Sequence, residues 1–266
     1  MIKLKTKEQI QKMREASEIL CKTHLALQKI LKPGLSTLQL DKFAHDFMIY
    51  KKAKPAQLGY MGFPYSLCTS VNDEICHGFP TDYRLKEGDL ISIDNVVEYN
   101  GGLADSCWSY KIGEVSEEVS KLYDVTYNSL MRAIEVSQVG YRLGDIGHAI
   151  QEYVEENGFS VVREFTGHGI GDEMHEDPQV LHYGKAGRGQ RLEENMVFTI
   201  EPMVNIGHWK SKLDDNGWTA RTIDNKVSCQ FEHQIVITNS KPEILTDQNK
   251  YSLSKEDNEF ISNYKL

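Results

Sequence analysis

The sequence predicts an α+β protein in which one arrangement, two helices followed by strands, occurs twice. Two observations carry this expectation. Apolar residues recur at helical spacing in two widely separated pairs of segments, and β-branched and aromatic residues crowd the stretches after each pair. The segments of the first half also match those of the second, in the same order and at nearly one offset.

The elements follow in turn. Thr6 with Gln9 forms a capping box, after which Met13, Ala16, Leu20, Leu27 and Leu31 recur at helical spacing until Lys32-Pro33-Gly34 stops the run. A second helix carries Leu40, Phe43, Ala44, Phe47 and Met48 on one face. Ser116 opens a third, with Val119, Leu122, Thr126, Leu130 and Ala133 along its stripe. A break at Gly140 leads to a fourth, with Ile146, Ala149, Ile150, Tyr153 and Val154, closed by Asn157-Gly158. The second and fourth helices coincide at an offset of 106 (Leu40 with Ile146, Gly34 with Gly140). The runs "RLKEGDLISIDNVV" from Arg84 and "RLEENMVFTIEPMV" from Arg191 coincide at 107. One such match between amphipathic helices carries little weight; two in order point to a duplication. The expected organisation is one catalytic unit over residues 1–266, with halves of about 1–110 and 111–250 and a short polar tail.

The duplication sets Asp94 opposite Glu201, each an acid ending an apolar run, so a pseudo-twofold would turn both into one central space. Each half then supplies another acid. Asn100-Gly101-Gly102 signals a hairpin, which places Asp105 on the strand beside Asp94. In "SCQFEHQIVIT", Glu232 alternates with Phe231, His233, Ile235 and Ile237 on the opposite face. Four converging carboxylates repel and push one another's pKa values upward, and a multivalent cation relieves this. With one imidazole they suffice for two divalent ions roughly 3.5–4 Å apart. An oxygen-rich set without thiolates suits Mn, Fe, Co or Zn and argues against a structural zinc.

At 266 residues, with 40% hydrophobic and 26% charged residues, the chain can bury a substantial core. A net charge of −9 argues against nucleic acid or anionic membrane as the partner. The five cysteines are scattered without a CxxC pair, which suits a reducing cytosol. No apolar segment is long enough to span a membrane, so the expectation is a soluble, cytoplasmic protein, with nothing to indicate an oligomer.

One stretch needs separate treatment: "GHGIGDEMHEDPQV", Gly167 to Val180, has two histidines amid acids. Its glycines at 167, 169 and 171 make a continuous helix improbable, so His168 and His175 do not share a helical face. Glu173, Glu176 and Asp177 read as loop surface.

Asp94, Asp105, His168, Glu201 and Glu232, with "NDEICHG" around His77 and the stretch above, resemble the methionine aminopeptidases of metallopeptidase family M24. The likeness covers essentially the whole chain. Only 33 residues separate His168 from Glu201, which leaves no room for the helical insertion of type II enzymes and matches the type I, bacterial-style branch. The resemblance implies the pita-bread fold, a curved antiparallel sheet with helices outside and an internal pseudo-twofold. It further implies that Asp94 chelates one metal, that His168 and Glu201 hold the other, and that Asp105 and Glu232 bridge them. A hydroxide between the ions would attack the first peptide bond, with Glu201 as proton shuttle. His77 and His175 would contact the scissile peptide. Tyr60, Phe63, Cys68, Met174 and Trp218 would line a pocket for the methionine side chain. Gln57 and Met174 depart from the family's usual cysteine and aromatic, which predicts tuned affinity rather than a new substrate. Some members also carry a monovalent cation on backbone carbonyls near Asn72, Glu74 and Ser228. The implied substrates are the N-termini of nascent chains with a small second residue, met near the ribosome. Proline-selective relatives on the same fold usually bring a separate N-terminal domain, whereas here the first helix starts almost at once. Inactive relatives lose metal ligands, and all five are present.

Overall fold

The computed structural model describes residues 2–266. Five α-helices are found among them: α1 (Lys7–Ile30), α2 (Thr37–Tyr50), α3 (Glu117–Glu135), α4 (Leu143–Glu156) and α5 (Lys255–Asn263). Thr6 caps α1 with both bonds of the expected box, and Ser36 does the same for α2 through Gln39. Each half has its own apolar cluster. In the first, α1 and α2 cover Ile91, Ile93 and Val97 of the strand Leu90–Tyr99, with Phe43 and Phe47 fully buried. Burying each such side chain contributes roughly 2–3 kcal/mol. In the second, α3 and α4 cover Phe198, Ile200, Phe231 and Ile235, and Trp108 packs against both clusters.

The duplication is written into the backbone. Leu85 N–H donates to the Leu35 carbonyl at 2.9 Å, and Leu192 N–H donates to that of Tyr141 at 2.9 Å, offsets of 107 and 106. Isolated bridges join Ser36 to Arg84 and Arg142 to Arg191 at the same offsets. Gly34 and Gly140 both take positive φ, 90° and 100°, where each chain turns into its second helix.

The sheets are antiparallel and differ between halves. In the first, Leu90–Tyr99 is a continuous strand that pairs along its length with Gly102–Lys111 through the Asn100–Gly101 turn, and with Leu67–Val71 on its other side. In the second, the equivalent run is broken: Val197–Ile200 pairs with His233–Val236, and after Glu201-Pro202 the strand Met203–Asn205 pairs with Ser228–Gln230. The halves meet where Gly102–Lys111 passes residues 228–236. There Glu232 N–H donates to the Cys107 carbonyl (2.8 Å), Ser106 Oγ to the Glu232 carbonyl (2.8 Å) and Asp105 N–H to Gln234 Oε1 (3.0 Å).

The structure corrects the reading of the residues after 250 as a polar tail. Helix α5 sets Phe260 and Tyr264 against Phe43, and Asp257, fully buried, pairs with Lys51 at 2.8 Å. Sparse apolar residues in a charged stretch hid this face. No helix among the described residues is long and apolar enough to cross a membrane.

Candidate active site

The five candidate metal ligands, His77, His175 and the five candidate pocket residues all line one cavity of about 410 Å³. Asp94 lies in the middle of its strand, opposite Cys107, and Asp105 lies opposite Val96 on the adjacent strand. The two acids are therefore diagonal neighbours on one face of the hairpin. Glu201 and Glu232 come from the breaks in the second half, where the chain leaves one sheet for another. His168 enters from the strand Gly167–Gly169, its Nε2 lying 3.6 Å from Asp105 Oδ2 and 3.6 Å from Glu201 Oε1.

Asp105 and Glu232 are buried, while Asp94 is more open to the cavity. Burial pushes Asp94 up to about 7 and Glu201 up to about 8. It lifts Asp105 and Glu232 well above the carboxylate range, reinforced by the neighbouring charges. The one cationic candidate found beside them among the described residues is His168, and burial lowers it to about 3, so it is neutral. Its Nδ1 lies 3.1 Å from the Gly169 carbonyl and must donate there, which leaves the Nε2 lone pair facing the acids.

This donor set fits a divalent cation. Glu232 Oε1 is buried without a hydrogen-bond partner, and ligand atoms of Asp105, His168 and Glu232 lie within 4.8 Å of one another. Without a cation, four buried acids can coexist only by holding protons.

Above the donors lies an apolar recess. Phe63 meets Trp218 edge to face at 5.2 Å, and Cys68 and Met174 are buried beside it. Two further histidines flank it. His175 is exposed at the mouth, with Nδ1 2.8 Å from the Tyr60 hydroxyl and its ring 4.2 Å from that of His168. His77 stands edge-on to Phe165 at 5.6 Å, and burial lowers its pKa to about 4. Near the far edge of the sheet, Ser228 N–H donates to the Asn72 carbonyl at 2.8 Å, and Glu74 pairs with Arg221.

One reading of the histidine stretch is corrected. Glu173 and Asp177 are exposed, but Glu176 is not loop surface: it starts the strand Glu176–Val180, and its carboxylate meets Lys5, with only 10% of its side chain exposed. The partner lies 171 residues away in the sequence, so local patterning gave no sign of it.

Several residues that orient the donors were missed. Thr199 accepts from His168 N–H (3.0 Å) and donates to Glu201 Oε1 (2.9 Å), which ties two donors together. A polar residue two before the acid, on the same face of an apolar strand, was the available signal. Gln57, noted only as a departure, donates through Nε2 to Asp94 Oδ1 at 3.1 Å. Cys76, Phe165 and Met203 also line the cavity.

A sheet-lined cavity with four carboxylates and one imidazole beside an apolar recess defines a metal-dependent hydrolase. The pattern of metallopeptidase family M24 matches residues 11–239, and the chain belongs to that family. It is 47% identical over 246 residues to a methionine aminopeptidase of Clostridium perfringens, covering 92% of this chain and 99% of the relative. It is likewise 47% identical to methionine aminopeptidase 1 of Bacillus subtilis, with the same coverage. A solved methionine aminopeptidase from Rickettsia prowazekii, 43% identical, superposes with a TM-score of 0.91 over 93% of this chain and all of that one. A prolidase from Pyrococcus horikoshii, 22% identical with a TM-score of 0.75, shares the fold. The fold is thus the expected pita bread, and the chain is an aminopeptidase that binds a divalent metal.

Proposed function

We propose that this aminopeptidase removes the initiator methionine from new proteins whose second residue is small. The observation that carries the proposal is the apolar recess of Tyr60, Phe63, Cys68, Met174 and Trp218 opening directly onto the five donors. A thioether side chain fits such a wall, and Met174 keeps it apolar and adaptable. Asp94 on one side, His168 and Glu201 on the other, and Asp105 and Glu232 between them would hold two divalent ions of Mn, Fe, Co or Zn. Bound there, the ions lower the pKa of water and polarise a peptide carbonyl.

The protein's own groups do the rest. Glu201, at the edge of the donor set, would take the proton of the attacking water and return it to the leaving amine. His175 Nδ1 lies 2.8 Å from the Tyr60 hydroxyl; in the tautomer in which that hydroxyl donates, Nε2 would carry a hydrogen for the carbonyl oxygen as negative charge develops there. His77 is neutral and can donate to the same peptide from the other side. The free buried cysteines suit a reducing cytoplasm, where a monomer would meet new chains near the ribosome.

Release of methionine from Met-Gly-Met-Met, abolished by a chelator and restored by added metal, is the expected result. Failure to release methionine at any metal concentration would overturn the proposal, and release of the first residue of an Ala-Pro peptide instead would move the enzyme to the proline-selective branch. His175→Ala should slow the reaction about 100-fold with metal content nearly intact; loss of metal would show that His175 is a ligand.

A further inference from the structure

The histidine stretch is held from beneath by the first residues of the chain. Lys5 reaches Glu176 Oε2 at 2.5 Å, with 2% and 10% of the two side chains exposed. The other oxygen, Oε1, accepts the N–H groups of Asp172 (2.8 Å) and Glu173 (3.1 Å), so residues 171–176 wrap around one carboxylate. Gly171 is the residue that lets Lys5 in: a Cβ there would collide with the ammonium group. Outside the pair, Lys3 and Gln9 both reach Asp172, and Lys5 N–H donates to the Asn195 carbonyl at 2.9 Å.

The turn fixed in this way carries Met174 into the recess and His175 to its mouth. A buried ion pair adds little stability over an apolar pair of equal size. What it adds is direction, because each Glu176 oxygen has an assigned partner and the turn closes around them.

We propose that Lys5 and Glu176 are positioning residues: their buried pair sets the 171–176 turn, and so places His175 and Met174 for the reaction. The proposal rests on the reading that His175 acts on the substrate. Lys5→Met keeps the length of the side chain and removes the charge. It should lower kcat on Met-Gly-Met-Met by between tenfold and a hundredfold, while divalent metal affinity, measured calorimetrically with Mn, changes less than about threefold. Lys5→Arg, which can still pair, should recover most of the rate. In imidazole proton–nitrogen NMR spectra of the metal-free protein, the His175 signals should shift or broaden in Lys5→Met, with those of buried His24 and His233 unchanged. Should Lys5→Met fail to fold, the double variant Lys5→Met with Glu176→Gln leaves no buried charge unpaired and carries the same readouts.

A lowered Tm with kcat and the His175 signals unmoved would show that the pair is merely structural and overturn the proposal. If the wild-type enzyme releases no methionine, the reading of the reaction fails, and the His175 signals alone still decide whether Lys5 sets the turn.

Discussion

The two halves of this protein share a backbone plan and diverge where the chemistry is. In the first, Asp94 and Asp105 sit on long, regular strands, and the register of one hairpin brings them together. In the second, the corresponding strand breaks at Glu201-Pro202, its acids project from the interruptions, and His168 comes from the short strand Gly167–Gly169. Regular strands fix direction through the ladder alone, so the first half needs one side-chain support, Gln57 on Asp94. The broken half replaces the lost ladder with side chains: Thr199 links His168 to Glu201, Gln230 lies 3.5 Å from Glu201, and His182 accepts the Glu201 N–H. A duplicated frame thus supplies one side held by its strand ladder and one held by side chains.

The largest effects should come from the matched acids themselves. Asp94→Ala and Glu201→Ala should each lower kcat/KM by at least about 1000-fold, since each removes a proposed metal donor. The halves should part company on rescue. Excess Mn or Co should restore part of the activity of Asp94→Ala but none to Glu201→Ala if Glu201 also carries the proton, as proposed. Equal rescue of both, followed as methionine release against metal concentration, would show that the roles are not divided in this way.

The supports come next. Gln57→Leu and Thr199→Val both keep volume and remove hydrogen bonds to donors, and such losses cost about 10–100-fold in metal affinity. Thr199→Val should stand at the upper end, because it frees two donors where Gln57→Leu frees one. Calorimetric titration of Mn into both variants measures the difference.

How much of this could be read from the sequence depends on distance along the chain. Asp94, Asp105, Glu201 and Glu232 were legible because each breaks a local apolar pattern, and the 106–107 offset paired the halves. Thr199 and Gln57 were not given their roles, because a polar residue near an acid becomes a support only when register and rotamer are known. Glu176 was misread for a stronger reason: its partner Lys5 lies at the other end of the turn's packing, and nothing between them in sequence connects the two. Helix α5 was missed because only Phe260 and Ile261 within it, with Tyr264 just after it, pack against the core, and its neighbours decide its structure.

Acidity offers a test without substrate. In the metal-free protein the four acids hold protons to higher pH than in the unfolded chain, where carboxylates ionise near ~4. The stability they confer is full below that value and is lost as pH rises through about 7 for Asp94 and about 8 for Glu201. The buried imidazoles act oppositely. Burial lowers His24 to about 4 and His168 and His182 to about 3, so they support the fold above 6.5 and lose that support as pH falls below it. From pH ~7.5 to ~8 imidazoles are almost wholly neutral in both states, and the acids set the slope. The Tm of chelator-treated protein should fall by several degrees across that window, saturating Mn should flatten the fall, and Glu232→Gln should reduce it. A flat profile without metal would mean that the four acids do not share the cavity as neighbours.

The smallest expected effect tests the repeat itself. Gly34 and Gly140 occupy equivalent turns at φ of 90° and 100°, and both have open space where a Cβ would stand. Alanine at either position therefore meets no clash, only the left-handed backbone cost of about 1–2 kcal/mol. At roughly 2–4 °C per kcal/mol for a chain of this size, Gly34→Ala and Gly140→Ala should lower Tm by the same few degrees and leave methionine release unchanged. Equal shifts would show that the repeat is kept in energy as well as in shape. If Gly140→Ala costs clearly more, the turn beside the broken strand is the more strained of the two, and the second half has given up part of the shared frame to hold Glu201 and Glu232 where they are.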